Sequence, residues 1–100
     1  MGSGYPRKNI RVVKELAGSS LPVDCPDRAG GIAHPVTDPP QVGVGGELAV
    51  RDDALVLIHE GRSIATVENA RLKACVMMGH SYEGRLVERE GAYEVEAHRI

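Results

Sequence analysis

Two cysteine–histidine pairs are the residues of this chain best suited to chemistry. Cys25 is followed by His34 and Cys75 by His80, each within ten residues. Thiolate and imidazole groups are typical ligands of zinc or iron, and four of them can complete a tetrahedral site. Because metal binding contributes directly to folding free energy, such a site would also fasten the front of the chain to the back. The four residues are therefore candidate metal ligands.

Simpler roles are open to the same residues. Cys75 fits a small buried hydrophobic residue, and Cys25 fits a thiol in a loop. A single disulfide is a further alternative, but two cysteines are too few for a disulfide framework, and we expect thiols or metal ligands in a reducing compartment. His59 continues the apolar face of Leu55 and Leu57, which predicts a core histidine with a satisfied ring nitrogen.

Sequence motifs of catalysis are missing. There is no Gly-x-Ser-x-Gly elbow, no phosphate-binding loop and no His-Glu-x-x-His. Cys75 and Ser81 lie near His80, but closeness in sequence does not align a nucleophile with a base, because neighbouring strand residues point to opposite faces. The glutamates of residues 88–96 fit a solvated hairpin face. The sequence predicts a protein that is not an enzyme.

Charge and hydropathy argue against two kinds of partner. The formal net charge is −2 with both signs mixed along the chain, so the basic stripe typical of nucleic-acid binding is missing. No apolar run reaches the roughly 18 residues of a membrane span. The N-terminus lacks the layout of a secretory signal, which predicts synthesis in the cytoplasm without a signal peptide.

Residues 42–100 have the pattern of a small antiparallel β protein. The whole chain has twelve valines, which favour strands, and it has no Phe or Trp, so an aliphatic core is expected. Tyr93, Val95 and Ala97 alternate with polar residues, which predicts one buried and one solvated face. Strands are predicted over Leu55–Ile58, Ser63–Glu68, Leu72–Met78, Arg85–Glu88 and Tyr93–Ala97, with turns at Glu60-Gly61-Arg62, Glu83-Gly84 and Glu90-Gly91.

Residues 1–41 look like an arm joined to this body. Residues 8–17 have helical spacing of apolar residues but also a strand-like alternation, so helix and strand both stay open. Residues 19–41 contain five prolines and a Gly-Gly pair, which predicts an irregular segment. The predicted class is mostly β: a small antiparallel, hairpin-built barrel or pyramid with an irregular Pro/Gly-rich N-terminal arm.

Several segments resemble the PAAR-repeat proteins, the metal-stapled cones that tip phage tail spikes and type VI secretion needles. That family has a Gly-Gly-hydrophobic step, a V-x-V strand leading into Gly, and Cys and Gly-His segments. The similar segments here are Gly30-Gly31-Ile32, Val42-Gly43-Val44-Gly45-Gly46, Val56 to Ala65, Cys75 and Gly79-His80-Ser81.

The resemblance implies a non-enzymatic structural protein of a phage tail or contractile injection apparatus. Its base would sit on a trimeric spike, and zinc or iron would staple its tip. Cys75 and His80 match the family's ligands best, and Cys25 and His34 would complete the set. The protein would then be part of a virion or injection apparatus.

The alternative is an SH3-like β-barrel adaptor or a virion assembly or decoration protein. Its extended arm would lie along neighbouring subunits, and open sheet edges would pair with partner strands. A third option is a host-directed phage inhibitor that binds through its acidic hairpin face.

Overall fold

The structure is a computed structural model, and it describes residues 24–100. Six antiparallel strands form a closed barrel in the order β1-β4-β3-β2-β5-β6, and β6 pairs with β1 to close it. The elements are β1 Arg28–Pro35, β2 Gly45–Arg51, β3 Ala54–His59, β4 Arg62–Glu68, α1 Ala70–Met77, β5 Tyr82–Arg89 and β6 Ala92–Arg99. The predicted antiparallel barrel is confirmed, and residues 8–17 lie outside the described part.

Three two-residue turns connect the hairpins. Positive φ at both central residues is the geometry that matches the right-handed twist of paired strands. The turns are Asp52-Asp53, Glu60-Gly61 and Glu90-Gly91, and all six residues have positive φ. The turns predicted at residues 60–62 and 90–91 are therefore confirmed.

Strand β1 was not predicted from the sequence. The irregular segment predicted over residues 19–41 is wrong for Arg28–Pro35, which pairs with both β4 and β6. The boundary at residue 42 consequently does not separate an arm from the barrel. Glycine, which the sequence analysis took as a loop signal, permits a close approach here: a Cβ on Gly31 would lie 2.6 Å from the Glu68 carbonyl oxygen.

Helix α1 is a second correction, because a strand was predicted over Leu72–Met78. The side chain of Asn69 caps the helix by accepting a hydrogen bond of 2.9 Å from Leu72 N. Leu72 and Cys75, one helical turn apart, are fully buried in the core. Residues 72–78 are apolar at every position but Lys73, so the segment contains the helical spacing of Leu72, Cys75 and Val76 as well as the alternation that suggested a strand.

Asn69 has a second role at the edge of β1. The pairing of β1 with β4 ends at Ile32 and Glu68, which leaves the Gly30 carbonyl beyond the last pair. Asn69 Nδ2 donates to that carbonyl at 2.6 Å. One amide side chain therefore starts the helix and continues the bonding of β1 past the end of β4.

Aliphatic side chains and one tyrosine fill the barrel. Its largest fully buried residues are Tyr82, Leu57, Ile64, Leu72 and Leu86. On β6, Val95 and Ala97 are buried while Glu96 and His98 are exposed, which confirms the predicted two-faced strand.

The turn predicted at Glu83-Gly84 is wrong, because both residues lie inside β5. Gly84 faces the core, where a Cβ would lie 2.9 Å from Val95 Cγ1 and 3.5 Å from Leu57 Cδ1. The missing side chain leaves room for its neighbours rather than making a turn.

The adjacent glycines Gly45 and Gly46 give a matched test of how closely β2 packs against its neighbouring strands. A Cβ on Gly46 would lie 1.9 Å from the Ile58 carbonyl oxygen, whereas one on Gly45 would meet Gly84 O at an ordinary 3.5 Å. Gly46→Ala should therefore lower the free energy of unfolding by about 1–3 kcal/mol, and Gly45→Ala should lower it much less. Urea unfolding of the full chain measures both, and equal losses would contradict the packing described.

The double role of Asn69 is also testable. Asn69→Ala removes the helix cap and the bond to Gly30, and should cost about 1–2 kcal/mol of unfolding free energy. Asn69→Ser keeps a cap acceptor but is too short to reach Gly30 in the same way, so its loss should be intermediate. Thermal and urea unfolding report the ranking, and a Ser variant as unstable as the Ala variant would argue against the capping role.

Candidate functional site

The two cysteines are bonded to each other. Cys25 and Cys75 form a disulfide with a Cα–Cα distance of 5.7 Å, which joins the segment before β1 to helix α1. Since these are the only cysteines of the chain, the expectation of free thiols is wrong. The topology explains the pairing, because the start of β1 and helix α1 lie at the same end of the barrel.

Residues 25–27, which we call the arm root, are also held by hydrogen bonds. The buried Tyr82 hydroxyl donates to Pro26 O at 2.7 Å. The Arg99 guanidinium donates to Cys25 O at 2.9 Å and to Asp27 Oδ1 at 2.8 Å. The Arg99 backbone N–H donates to Asp27 O at 2.7 Å. The arm root is therefore fastened to α1, β5 and β6 at once.

The two candidate histidine ligands lie in different settings. His34, on the outer face of β1, pairs with Glu68 on β4. His80 follows α1, and its backbone N–H donates to Cys75 O at 3.1 Å. Among residues 24–100 no group of three or more His, Cys, Asp or Glu is arranged to hold a metal. A zinc or iron site at the four predicted residues stays a prediction, and it would require the reduced chain, since metals bind thiolates.

His59 lies at the opposite end of the barrel from α1. Its Nδ1–H donates to Gly45 O at 2.8 Å, so the predicted satisfied ring nitrogen is confirmed. The predicted core position is wrong, because the side chain is 33% exposed at the end of β3. A polar cleft of about 560 Å³ beside it is lined by residues that include Gln41 and Ser63. The bond to a backbone carbonyl fixes the orientation of the imidazole and joins β3 to the start of β2.

A larger groove of about 1080 Å³ crosses the outside of four neighbouring strands, β1, β6, β5 and β2. We call its exposed surface the four-strand face. Strand register places its residues in two cross-strand rows: Arg28, His98, Glu83 and Glu47 in the first, and Gly30, Glu96, Arg85 and Gly45 in the second. The glycines at both ends of the second row leave the backbone uncovered there.

The electrostatics of this face are uneven. Glu47 and Glu83 lie directly opposite each other on β2 and β5, and like charges in that position repel. His98 Nε2 lies 3.3 Å from Glu83 Oε1. On the same face Arg89 pairs with Glu96. The first row therefore has two opposed carboxylates at one end and Arg28 at the other, with His98 beside Glu83.

Sequence reasoning could not find this face. Its two rows join residues up to 70 positions apart, such as Arg28 and His98, and they depend on the closure of the barrel by β1. The only available signal was the exposed alternation of β6, which the sequence analysis did identify.

Comparisons with known families, curated proteins and solved structures identified no relative of this chain. No protein-family model matches the sequence, and no curated protein or solved structure matches it at a significant level. The helix described in residues 24–100 is neither long nor apolar enough to cross a membrane. The function must therefore be argued from the geometry.

The disulfide should contribute strongly to stability. It closes a loop with a sequence separation of 50, for which the chain-entropy estimate is roughly 4 kcal/mol. Dithiothreitol should lower the unfolding midpoint of the wild-type chain, and Cys25→Ser should lower it similarly. The Ser variant is the control, because its midpoint should not respond further to reductant. A wild-type midpoint that ignores reductant would contradict the bond.

Proposed function

We propose that this protein is a non-enzymatic β-barrel adaptor of a virion or injection apparatus, and that it binds neighbouring protein subunits through its N-terminal segment. The fastening of the arm root is the observation that carries the proposal. A covalent bond to α1, together with hydrogen bonds from Tyr82 and Arg99, holds the point where residues 1–23 meet the barrel.

A fastened root suits a segment that bears load. Without it, tension on the N-terminal residues would act first on β1, whose residues 28–32 pair with β6 and whose residues 32–35 pair with β4. With the disulfide in place, the same tension is transmitted to the buried Cys75 and thus to the core. A fixed root is what an adaptor needs if its arm connects it to neighbours.

The mode of binding differs from the alternative predicted by the sequence. Open sheet edges are not offered by the described chain, because the strand order closes on itself. We therefore expect the adaptor to bind its partners through the outer faces of its strands and through its N-terminal segment, and not by strand addition at a sheet edge. The supporting feature of a non-catalytic role is the barrel interior, which is filled by apolar side chains.

The PAAR-like spike tip stays a prediction with less support from the geometry. It needs Cys25 and Cys75 as metal ligands, whereas their sulfurs are bonded to each other. Metal analysis of reduced and oxidised protein separates the two functions. Stoichiometric zinc or iron that is lost in Cys75→Ser would favour the spike tip over the adaptor.

The adaptor function is tested in cells that make the native assembly. The full chain should sediment with the particles, and a variant without residues 1–23 should stay in the supernatant while keeping its β-type circular dichroism and its disulfide. Cys25→Ser keeps residues 1–23 but removes the covalent attachment of the arm root. A smaller fraction of this variant should co-sediment with the particles at high salt. If the full chain remains free of particles, the adaptor proposal is wrong.

A further inference from the structure

The disulfide lies outside the hydrogen-bonded sheet of the barrel. Cys25 precedes β1 and Cys75 lies in α1, so neither cysteine belongs to any of the six strand pairings. The closure of β1 against β4 and β6 is made by backbone pairing between other residues. Breaking the sulfur–sulfur bond therefore removes an attachment of the arm root and leaves every strand pairing in place.

The other attachments of the arm root are partly open to water. In the ion pair between Arg99 and Asp27 the two side chains are 35% and 84% exposed, and exposed ion pairs contribute little to stability. The hydrogen bond from the buried Tyr82 to Pro26 O is better shielded. Opening the reduced root therefore costs less free energy than unfolding the barrel, as is usual for a segment with few buried contacts.

The two sulfurs differ in their access to a thiol from solution. Cys25 is partly exposed, whereas Cys75 is fully buried. An incoming thiolate therefore attacks Cys25 Sγ, the bond to Cys75 breaks, and its electron pair leaves on Cys75 Sγ, which takes up a proton. A second thiol of the reductant attacks the mixed disulfide and releases Cys25 as a thiol, so the reductant ends as a disulfide. The chain has no further cysteine, so no other intramolecular pairing competes.

We propose that the Cys25–Cys75 bond is a redox switch that fastens and releases the arm root while the barrel stays closed. The reductant is a dithiol, and the oxidant is the corresponding disulfide. The inference deepens the proposed adaptor function and rests on it for its use, because it gives the arm a fastened state in oxidising surroundings and a released state in reducing ones.

One backbone amide reports the opening of the root directly. The Arg99 N–H donates to Asp27 O at 2.7 Å, so its protection from solvent depends on the root. The next amide along the chain, that of Ile100, donates to Ser81 O at 2.9 Å. Ile100 is therefore the matched control, because it lies beside the same end of β6 and bonds to a residue outside the root.

Amide hydrogen exchange of the full chain, followed by NMR with and without dithiothreitol, tests the release. We expect reduction to raise the exchange rate of Arg99 relative to that of Ile100 by roughly tenfold or more. The Leu86 N–H, which donates to Val44 O, reports the barrel. In the reduced protein, urea below the unfolding transition should speed the exchange of Leu86 but not that of Arg99, because local opening exposes little surface.

Two variants separate the covalent from the non-covalent attachment. Tyr82→Phe keeps the buried ring and removes its hydrogen bond to the root, so Arg99 should exchange as in the wild type while the protein is oxidised, and faster than in the wild type after reduction. Tyr93→Phe is the matched control, because Tyr93 lies opposite Glu88 at the other end of β6. In Cys25→Ser, Arg99 should exchange at the rate of the reduced wild type with or without dithiothreitol.

The attacked sulfur can be located by mass spectrometry. A brief reaction of the oxidised, folded protein with glutathione, followed by acid quenching, should leave the glutathione adduct on Cys25. An adduct on Cys75 would mean that the access described above is wrong.

Two exchange results would overturn the switch. One is a ratio of Arg99 to Ile100 exchange that reduction leaves unchanged, which would show that the root stays closed. The other is a single urea-dependent rate shared by Arg99 and Leu86 in the reduced protein, which would show that the barrel opens with the root. Sedimentation with particles is a separate measurement, so the adaptor function and the switch can fail independently.

Discussion

The placement of β1 between β4 and β6 is the constraint on which the rest of the structure depends. It converts five strands into a closed barrel, and it removes the two edges that would otherwise be open. It also brings the arm root to the end of the barrel where α1 lies, so that Cys25 can reach Cys75. The four-strand face exists for the same reason, because half of each row comes from β1 and β6.

The sequence predicted the strands and turns that local patterns specify. Glu60-Gly61 and Glu90-Gly91 have the turn chemistry that hairpins require, and β6 alternates cleanly between buried and exposed residues. The failures were β1, which contains glycines and ends at a proline, α1, whose apolar spacing fits two periods, and the turn at Glu83-Gly84, which lies inside β5. For β1 a tertiary contact decided the outcome, namely its pairing with two strands. For α1 the helix is favoured by a local cap, from Asn69 to Leu72 N, and by the burial of Leu72 and Cys75 in the core.

The candidate site was predicted only in part, because its geometry is non-local. Composition identified Cys25 and Cys75 as partners in a shared structure, but a separation of 50 residues does not distinguish a disulfide from metal ligation. That distinction depends on how close the topology brings the sulfurs. His34 was grouped with the cysteines, whereas its ring pairs with the side chain of Glu68, a diagonal neighbour on β4. The four-strand face needs the register of three strand pairs, and the exposed alternation of β6 was its one local signal.

The pairing of the first described strand with the last also sets an order of events during biosynthesis. Arg28 meets His98, so β1 has no β6 partner until the ribosome has released almost the whole of this sequence. The β2–β3–β4 meander can form earlier because its contacts are local. Before β6 is synthesised, the sheet beside Cys25 is incomplete. The disulfide with Cys75 can therefore form in its native surroundings only after β6 has paired with β1.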